Sequence, residues 1–204
     1  MMRLLVATTN PGKVREIAAA LRESGVNHVD LATLRDFPDI PPVLEDQPTF
    51  EGNAMKKAAH FAHYTGLPAV ADDSGLCVDA LNGEPGIFSA RYAGEPCDDA
   101  ANNRKLLSAL QDVPAEERTA RFVCALALAS STEQLVVLSD TVEGRIGYSP
   151  RGENGFGYDP LFVLPERNLT TAELSMEEKS RISHRGKAVR RLALWLLEHP
   201  LEGA

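Results

Sequence analysis

The spacing of apolar residues changes along the chain from that of strands to that of helices. Residues 3–8 form an apolar run typical of a buried strand, and residues 13–24 then repeat apolar side chains at helical spacing. By the same criteria we predict further strands over residues 29–34, 69–71 and 161–164, and further helices over residues 49–64, 98–110 and 184–198. In the last helix the side chains expected to point inward are Val189, Leu192, Ala193, Leu196 and Leu197.

Two long strands are predicted in the second half of the chain. Residues 118–129 and 134–146 have strand character, and the polar turn 130–133 separates them. Because helices and strands alternate first and two strands then follow each other directly, this order predicts an α/β fold with a mixed sheet. The 204 residues contain no repeat and no convincing linker, so we expect one domain over residues 1–204, either undivided or built of two closely packed lobes.

Composition narrows the classes of partner. Hydrophobic residues make up 44% of the chain, which is enough for a sizeable core. The net charge of −8 argues against a nucleic-acid-binding surface but not against one nucleotide in a local basic pocket. No apolar run is long enough to cross a membrane, and the scattered Cys77, Cys97 and Cys124 indicate reduced thiols in a cytoplasmic protein.

The first candidate site lies where the first strand gives way to the first helix. Backbone N–H groups at a helix start attract anions, and a lysine there adds a full positive charge, so a phosphate is the expected ligand. The alternative is a capped turn with a surface lysine, and the spacing of a Walker loop is absent. The residues concerned are Thr8, Thr9, Asn10, Pro11, Gly12 and Lys13.

Two adjacent carboxylates, Asp72 and Asp73, follow the predicted strand 69–71 and precede Ser74. Ligands often bind at the carboxyl ends of strands in α/β proteins, and carboxylate oxygens suit Mg²⁺, which also bridges substrate phosphates. The alternative is a common Asp-Ser-Gly turn. The proline-rich loop 37–48 offers Glu45 as a further carboxylate.

The helix predicted over residues 49–64 carries Asn53, Lys56 and Lys57. The spacing of four residues places Asn53 and Lys57 on the same helical face, where they could meet a ligand. The alternative is an ordinary solvated face.

The glycine-rich loop 152–159 includes Phe156, Gly157, Tyr158 and Asp159. Glycine lets the backbone approach a ligand closely, and the two aromatic rings offer flat faces to a base. The alternative is an ordinary hairpin turn that carries these side chains without binding a ligand.

A polar segment with Lys179, Ser183, His184 and Arg185 precedes the last apolar repeat. Ser183 is expected to cap the last helix, which places His184 and Arg185 in its first turn. Cations there oppose the helix dipole, so the arrangement favours a functional role over a structural one.

In their order along residues 7–188, these segments resemble the inosine triphosphate pyrophosphatase family, also described as dITP/XTP pyrophosphatases. The matching stretches are ATTNPGK, TFEGNAMKKA, ADDSGL, PGIFSARYAG, GFGYDPLF and EKSRISHRGKA. The resemblance implies an elongated mixed sheet flanked by helices, with an active-site cleft between two lobes. It also implies a homodimer and a divalent metal, usually Mg²⁺.

The resemblance further implies a role for each matching residue. The segment from Thr8 to Lys13 would cradle the triphosphate, and Asp73 would bind the metal and accept a proton. A mechanism that fits these residues adds Lys57, which together with Lys13 would take the remaining phosphate oxygens. Glu45 would be the second metal carboxylate, and Ser74 would touch the substrate. Phe156, Gly157, Tyr158 and Asp159 would hold the nucleoside, while Lys179, His184 and Arg185 would face the base. Some members carry Glu where this chain has Gly52, and no role is assigned to Gly52 or to the neighbouring Glu51.

The predicted reaction is hydrolysis of ITP, dITP or XTP to the monophosphate and pyrophosphate, which cleanses the nucleotide pool. A water oriented by Asp72 or Asp73 would attack the α-phosphorus. Arg185 can only donate hydrogen bonds, so it would pair with a C6 oxygen and not with the amino group of adenine. Rejection of GTP would need a second element that excludes the 2-amino group, and we expect it in the backbone of residues 156–159. The alternatives are a pyrophosphatase for modified pyrimidine triphosphates and a nucleotide-binding regulator without catalysis.

Overall fold

The computed structural model describes residues 2–27 and 29–201. Its strands are β1 (Met2–Val6), β2 (Val29–Thr33), β3 (Ala69–Val78), β4 (Thr119–Ala129), β5 (Gln134–Ile146), β6 (Phe162–Leu164) and β7 (Leu169–Thr170). Its α-helices are α1 (Pro11–Glu23), α2 (Phe50–Thr65), α3 (Asp99–Ala109), α4 (Met176–Ile182) and α5 (His184–Glu198). Every one of these helices is too short or too polar to cross a bilayer, and residues 1, 28 and 202–204 lie outside the described chain.

The strands form one seven-stranded sheet in the order β2-β1-β3-β4-β5-β6-β7. Strand β1 pairs in parallel with β2 and β3, whereas β6 pairs antiparallel with β5 and β7. The prediction of an α/β fold with a mixed sheet is therefore confirmed.

Strand β3 differs most from its prediction. It runs from Ala69 to Val78, so Asp72, Asp73 and Ser74 lie inside the strand and not in a turn after it. The strand predicted over residues 69–71 is present but continues to Val78, and the alternative of an Asp-Ser-Gly turn is wrong. Strand β7 was not predicted. In α5, Leu197 is 47% exposed, so the prediction that it points inward is also wrong.

The chain divides into two compact units. Unit 1 contains the described parts of Met1–Asp73, Cys124–Asp140 and Arg185–Ala204, and unit 2 contains Ser74–Val123 and Thr141–His184. Unit 1 has two apolar clusters, one against α1 and α5 and one against α2. Unit 2 has its own cluster, in which Tyr158, Phe162 and Leu106 are buried.

Side-chain caps define where α1 and α2 begin. The Asn10 carboxamide oxygen accepts from Gly12 N at 2.8 Å and from Lys13 N at 3.2 Å. Thr49 accepts from Gly52 N at 3.0 Å, and Gly66 ends α2 in the left-handed conformation with φ of 71°. These caps fix the helical faces that carry Lys13 and Lys57.

Candidate active site

The loop that precedes α1 is organised by its own side chains. The Asn10 cap engages the N–H groups of Gly12 and Lys13, and Asn10 N donates to Thr8 Oγ1 at 3.2 Å. The N–H groups of Gly12 and Lys13 are therefore engaged by the Asn10 side chain in this structure. The charge that this loop offers an anion is that of Lys13.

A cavity of about 460 Å³ adjoins this loop within unit 1. Its volume lies in the range of small-molecule sites. Its lining residues are Thr8, Thr9, Pro11, Val14, Arg15, Thr33, Leu34 and Arg35.

Asp72 is a buried carboxylate held by cations from two helices. Lys13 of α1 forms an ion pair with Asp72 Oδ1, and Arg185 Nε of α5 donates to Asp72 Oδ2 at 3.0 Å. Arg185 also pairs with Glu16, and Cys124 Sγ donates to Asp72 Oδ2 at 3.1 Å. Burial lowers the pKa of Arg185, but Asp72 and Glu16 outweigh it, so that pKa lies above its ordinary value.

Lys57 joins two further carboxylates. Its Nζ lies 2.9 Å from Glu45 Oε1 and 2.9 Å from Asp73 Oδ1. The other oxygen of Asp73, Oδ2, is buried and accepts no hydrogen bond from any described residue. Burial raises the pKa of Asp73 despite its attraction to Lys57. Burial acts in the same direction on Glu45, but there Lys57 prevails and the pKa of Glu45 is lowered.

Two further polar residues of α2, Asn53 and Lys56, have different roles. Asn53 is buried, and its Oδ1 accepts from Gln47 N at 2.9 Å, which ties down the segment that carries Glu45. Lys56 pairs with Asp46 at 2.7 Å on the exposed side. The solvated-face alternative is therefore correct for Lys56 and wrong for Lys57, which is 7% exposed.

In unit 2, the glycine-rich loop folds around the carboxylate of Asp159. Asp159 Oδ2 accepts from Phe156 N at 2.8 Å and from Lys179 Nζ at 2.6 Å, and Oδ1 accepts from Thr171 Oγ1 at 2.8 Å. Lys179 Nζ also lies 5.0 Å from the centre of the Phe156 ring. A Cβ at Gly155 would overlap this carboxylate, so only glycine fits there.

Tyr158 and His184 are buried in unit 2. The Tyr158 hydroxyl donates to the Ser89 carbonyl at 2.8 Å, and its ring belongs to the apolar cluster. This disagrees with the prediction of a Tyr158 face open to a base, whereas Phe156 is partly exposed. The His184 ring stacks on Phe122 with 4.9 Å between centroids. Ser183 ends α4 as its C-cap.

The structure thus brings some of the predicted residues together within each unit. In unit 1 these are Lys13, Glu45, Lys57, Asp73 and Arg185, with Asp72. In unit 2 these are Phe156, Asp159 and Lys179, and Ser74 is a partly exposed residue of β3.

Sequence reasoning missed the partners of these groups: Glu16, Cys124, Asp99, Asn103 and Thr171. Asp99 and Asn103 contact Gly157 from one face of α3, and their spacing of four residues was a usable signal. Glu16 lies one helical turn after Lys13, but its partner Arg185 is distant in sequence and gave no local signal.

Comparison with known proteins gives consistent matches over nearly the whole chain. Residues 4–195 match the model of the Ham1 family. A dITP/XTP pyrophosphatase of Geobacter sulfurreducens is 57% identical over 189 residues, which cover 93% of this chain and 94% of the relative. One of Geobacillus kaustophilus is 53% identical over 192 residues, covering 94% and 93%.

Solved structures agree with these matches. A HAM1 protein from Coxiella burnetii superimposes with a TM-score of 0.86 at 41% identity, covering 97% of this chain and 100% of that one. A nucleoside-triphosphatase / dITP/XTP pyrophosphatase from Mycobacterium abscessus has a TM-score of 0.74 at 48% identity, covering 94% and 97%.

Proposed function

The chain belongs to the Ham1 family, and from this premise we propose that it hydrolyses non-standard purine nucleoside triphosphates, such as dITP, XTP and ITP, to the monophosphate and pyrophosphate. The observation that carries this proposal is the group of buried carboxylates and lysines in unit 1, in a chain whose relatives bear the name dITP/XTP pyrophosphatase. Such a reaction removes these nucleotides before they enter DNA or RNA.

The residues of unit 1 fit a divalent cation, which we take to be Mg²⁺. Asp73 Oδ2 is a buried carboxylate oxygen without a hydrogen-bond donor in the described chain, and Glu45 approaches Asp73 through their shared Lys57. No three described His, Cys, Asp or Glu side chains form a metal cluster by themselves. Asp73 and Glu45 supply the one or two carboxylates that Mg²⁺ commonly uses together with water and substrate phosphates. When bound, the ion neutralises phosphate charge that this acidic protein would otherwise repel.

Asp73 is the better candidate for the general base of the two aspartates. Lys13, Arg185 and Cys124 all approach Asp72, which makes Asp72 the residue that holds the two cations in place. Asp73 retains a carboxylate oxygen that accepts no hydrogen bond from any described residue and is available to a water.

In the proposed reaction, Asp73 accepts a proton from the water that attacks the α-phosphorus. The bond between the α-phosphorus and the bridging oxygen breaks, and pyrophosphate leaves with that oxygen. Lys13 and Lys57 bind phosphate oxygens and stabilise the charge that develops on the leaving group.

The residues of unit 2 are proposed to bind the nucleoside. Phe156 supplies the partly exposed ring, and Asp159 and Lys179 hold the loop that carries it. Thr8 to Gly12, Ser74, Gly157 and His184 keep the substrate-binding roles that the resemblance implies, whereas Tyr158 packs in the apolar cluster of unit 2 and supports the loop from within. Arg185 gains a second role, because its ion pairs with Asp72 and Glu16 make it a support for the catalytic group. We further propose a homodimer in the cytoplasm that binds neither nucleic acid nor membranes.

Pyrophosphate release tests the proposal directly. The purified protein is incubated with dITP, XTP or ITP, with ATP, GTP and a methylated pyrimidine triphosphate as controls, and with EDTA followed by excess Mg²⁺. We expect rapid release from the three non-standard purines only and its loss with EDTA. Preference for the pyrimidine would favour the other class of pyrophosphatase, and binding without release would favour a regulator. Phosphorus NMR that shows IDP and orthophosphate as first products would contradict attack at the α-phosphorus.

A further inference from the structure

The cavity of about 460 Å³ in unit 1 lies on a different side of α1 from the buried ion pairs. Successive helical residues are rotated by about 100°, so Pro11, Val14 and Arg15 share one side of α1, and Lys13 and Glu16 share the other. The first three residues line the cavity, whereas the other two form ion pairs with residues of β3 and α5. None of the described lysines or carboxylates of the proposed catalytic group lines the cavity.

Two arginines give this cavity a positive charge that the described chain does not neutralise. Arg15 and Arg35 are exposed and line the cavity, and neither forms an ion pair with a carboxylate of the described chain. The acids next to them in sequence have other partners, because Glu16 forms its ion pair on the opposite side of α1 and Asp36 accepts from Thr33 N at 2.8 Å. Since the chain has 29 acidic and only 21 basic residues, two such arginines on one cavity indicate that an external anion binds there.

The remaining walls of the cavity indicate which kind of anion fits. Pro11, Val14 and Leu34 contribute apolar side chains, and Thr9 adds a hydroxyl group. A bare polyphosphate chain gains nothing from apolar walls, whereas small organic ligands typically bind in cavities of this size with a few polar groups. Two guanidinium groups match the charge of a phosphate monoester, about −1.5 to −2 at pH 7, and their N–H groups bind phosphate oxygens in pairs. The lining therefore favours an organic phosphate.

We propose that the cavity is a second binding site, for a small organic phosphate whose phosphate group contacts Arg15 and Arg35 and whose apolar part packs against Val14 and Leu34. The site goes beyond the proposed function, and its ligand binds whether or not the protein hydrolyses nucleotides. Because α1 separates the cavity from the lysines and carboxylates of unit 1, a ligand in the cavity leaves that group free to bind its substrate.

The experiment measures binding of phenyl phosphate to the full chain by calorimetry, with inorganic phosphate and phenol for comparison. Phenyl phosphate combines a phosphate with one apolar ring, and each of the other two compounds supplies only one of these parts. Arg15→Ala and Arg35→Ala each remove one guanidinium group. The matched control is Arg22→Ala, which removes an exposed arginine of the same helix that does not line the cavity. Thermal unfolding of each variant verifies that it is folded.

We expect the Kd of phenyl phosphate to rise about fivefold or more in each of Arg15→Ala and Arg35→Ala, as the loss of one charge-assisted hydrogen bond predicts. Arg22→Ala should leave this Kd unchanged. Inorganic phosphate and phenol should both bind more weakly than phenyl phosphate. Val14→Thr, which places a hydroxyl group on the apolar wall, should weaken phenyl phosphate and leave the Kd of inorganic phosphate unchanged.

Three results would overturn the proposal. These are the absence of saturable binding of phenyl phosphate to the wild type, an unchanged Kd in both arginine variants, and an equal rise of the Kd in Arg22→Ala.

Two further measurements separate this site from the proposed active site. Lys57→Met removes a charge from the proposed catalytic group but lies outside the cavity, so the Kd of phenyl phosphate should not change. A rise as large as that in Arg15→Ala would place the phosphate on the lysines and reject the second site. Arg15→Ala and Arg35→Ala should also keep the wild-type KM for dITP, and a raised KM would make the cavity part of the substrate site and reject the proposal. If the wild type releases no pyrophosphate from dITP, only the proposed function fails, because the binding measurements do not depend on hydrolysis.

Discussion

The two groups of predicted site residues are stabilised by different kinds of interaction. In unit 1, Asp72, Asp73 and Glu45 are held by the charges of Lys13, Lys57 and Arg185, and one oxygen of Asp73 is left without a donor. In unit 2, the loop around Gly157 is held by hydrogen bonds that use its backbone groups at residues 156 and 157 and both oxygens of Asp159. The first group consists of ion pairs. A polyanion can take over the lysines and a cation can take over the carboxylates, which the proposed reaction requires. The second has a fixed shape, as recognition requires.

The sharpest test of this difference is Asp73→Asn. The change removes the ionised oxygen that we propose as general base and metal ligand, so kcat should fall roughly a hundred- to ten-thousand-fold. The control is Asp46→Asn, an exposed carboxylate paired with Lys56, which should keep near-normal activity. Near-normal turnover of Asp73→Asn with excess Mg²⁺ would contradict the assignment of the unit 1 residues to catalysis.

Arg185→Ala tests the charge balance of unit 1. The Arg185 side chain is 3% exposed and pairs with Asp72 and Glu16, so its loss leaves buried carboxylates short of a cation. Breaking such a pair destabilises a protein by about 3–5 kcal/mol. Thermal unfolding should show this loss, whereas Arg181→Ala, whose pair with Glu177 is exposed, should unfold almost as the wild type does.

The same Arg185 variant also tests how the base is read. If Arg185 donates to the C6 oxygen, the ratio of kcat/KM for ITP over ATP should narrow in Arg185→Ala. An unchanged ratio together with the expected destabilisation would leave Arg185 with its supporting role alone.

Gly155→Ala tests the fixed shape of unit 2. Gly155 has φ of +77°, and an added Cβ would overlap the Asp159 carboxylate. Gly157→Ala is the matched control, because Gly157 has φ of +61° but open space at the Cβ position. Backbone strain alone costs about 1–2 kcal/mol. Gly155→Ala should therefore unfold at a lower temperature than Gly157→Ala, and equal unfolding temperatures would show that the overlap is relieved without cost.

Thr171→Val should have the smallest effect of the four substitutions. It leaves Asp159 Oδ1 without the hydroxyl that donates to it at 2.8 Å, and a buried acceptor left unpaired costs about 1–3 kcal/mol. We expect a modest rise in KM for dITP and lower thermal stability. Thr119→Val, which removes an exposed hydroxyl contact to Asp79, is the control and should change neither quantity measurably. A larger loss of thermal stability in Thr119→Val than in Thr171→Val would contradict the importance of burial around Asp159.

Local signals in the sequence predicted most elements of the fold. Helix α2 shows why: Thr49 caps its start, Gly66 ends it, and its apolar residues recur at helical spacing, so all three signals lie within one segment. Strands β4 and β5 were equally clear, because a polar turn separates two long apolar runs.

Strand β3 shows where local signals fail. Two adjacent aspartates indicate a turn, because a buried carboxylate without a partner is too costly for the interior of a sheet. Their partners lie far away in the chain, since Lys57 is 16 positions from Asp73 and Arg185 is 113 positions from Asp72. Asp72 and Arg185 are too far apart in the sequence for any local pattern to include both of them.

Local signals in the sequence are sufficient to predict most of the helices and strands, the family that the chain resembles and the charged side chains of its motifs. The folded arrangement was needed to show that Asp72 and Asp73 continue a buried strand, that Arg185 supports Asp72, and that Tyr158 is a core residue. The physical reason is that helix caps and apolar periodicity act between neighbours in sequence. Neutralisation of a buried charge depends instead on which distant side chains the fold brings within hydrogen-bonding distance.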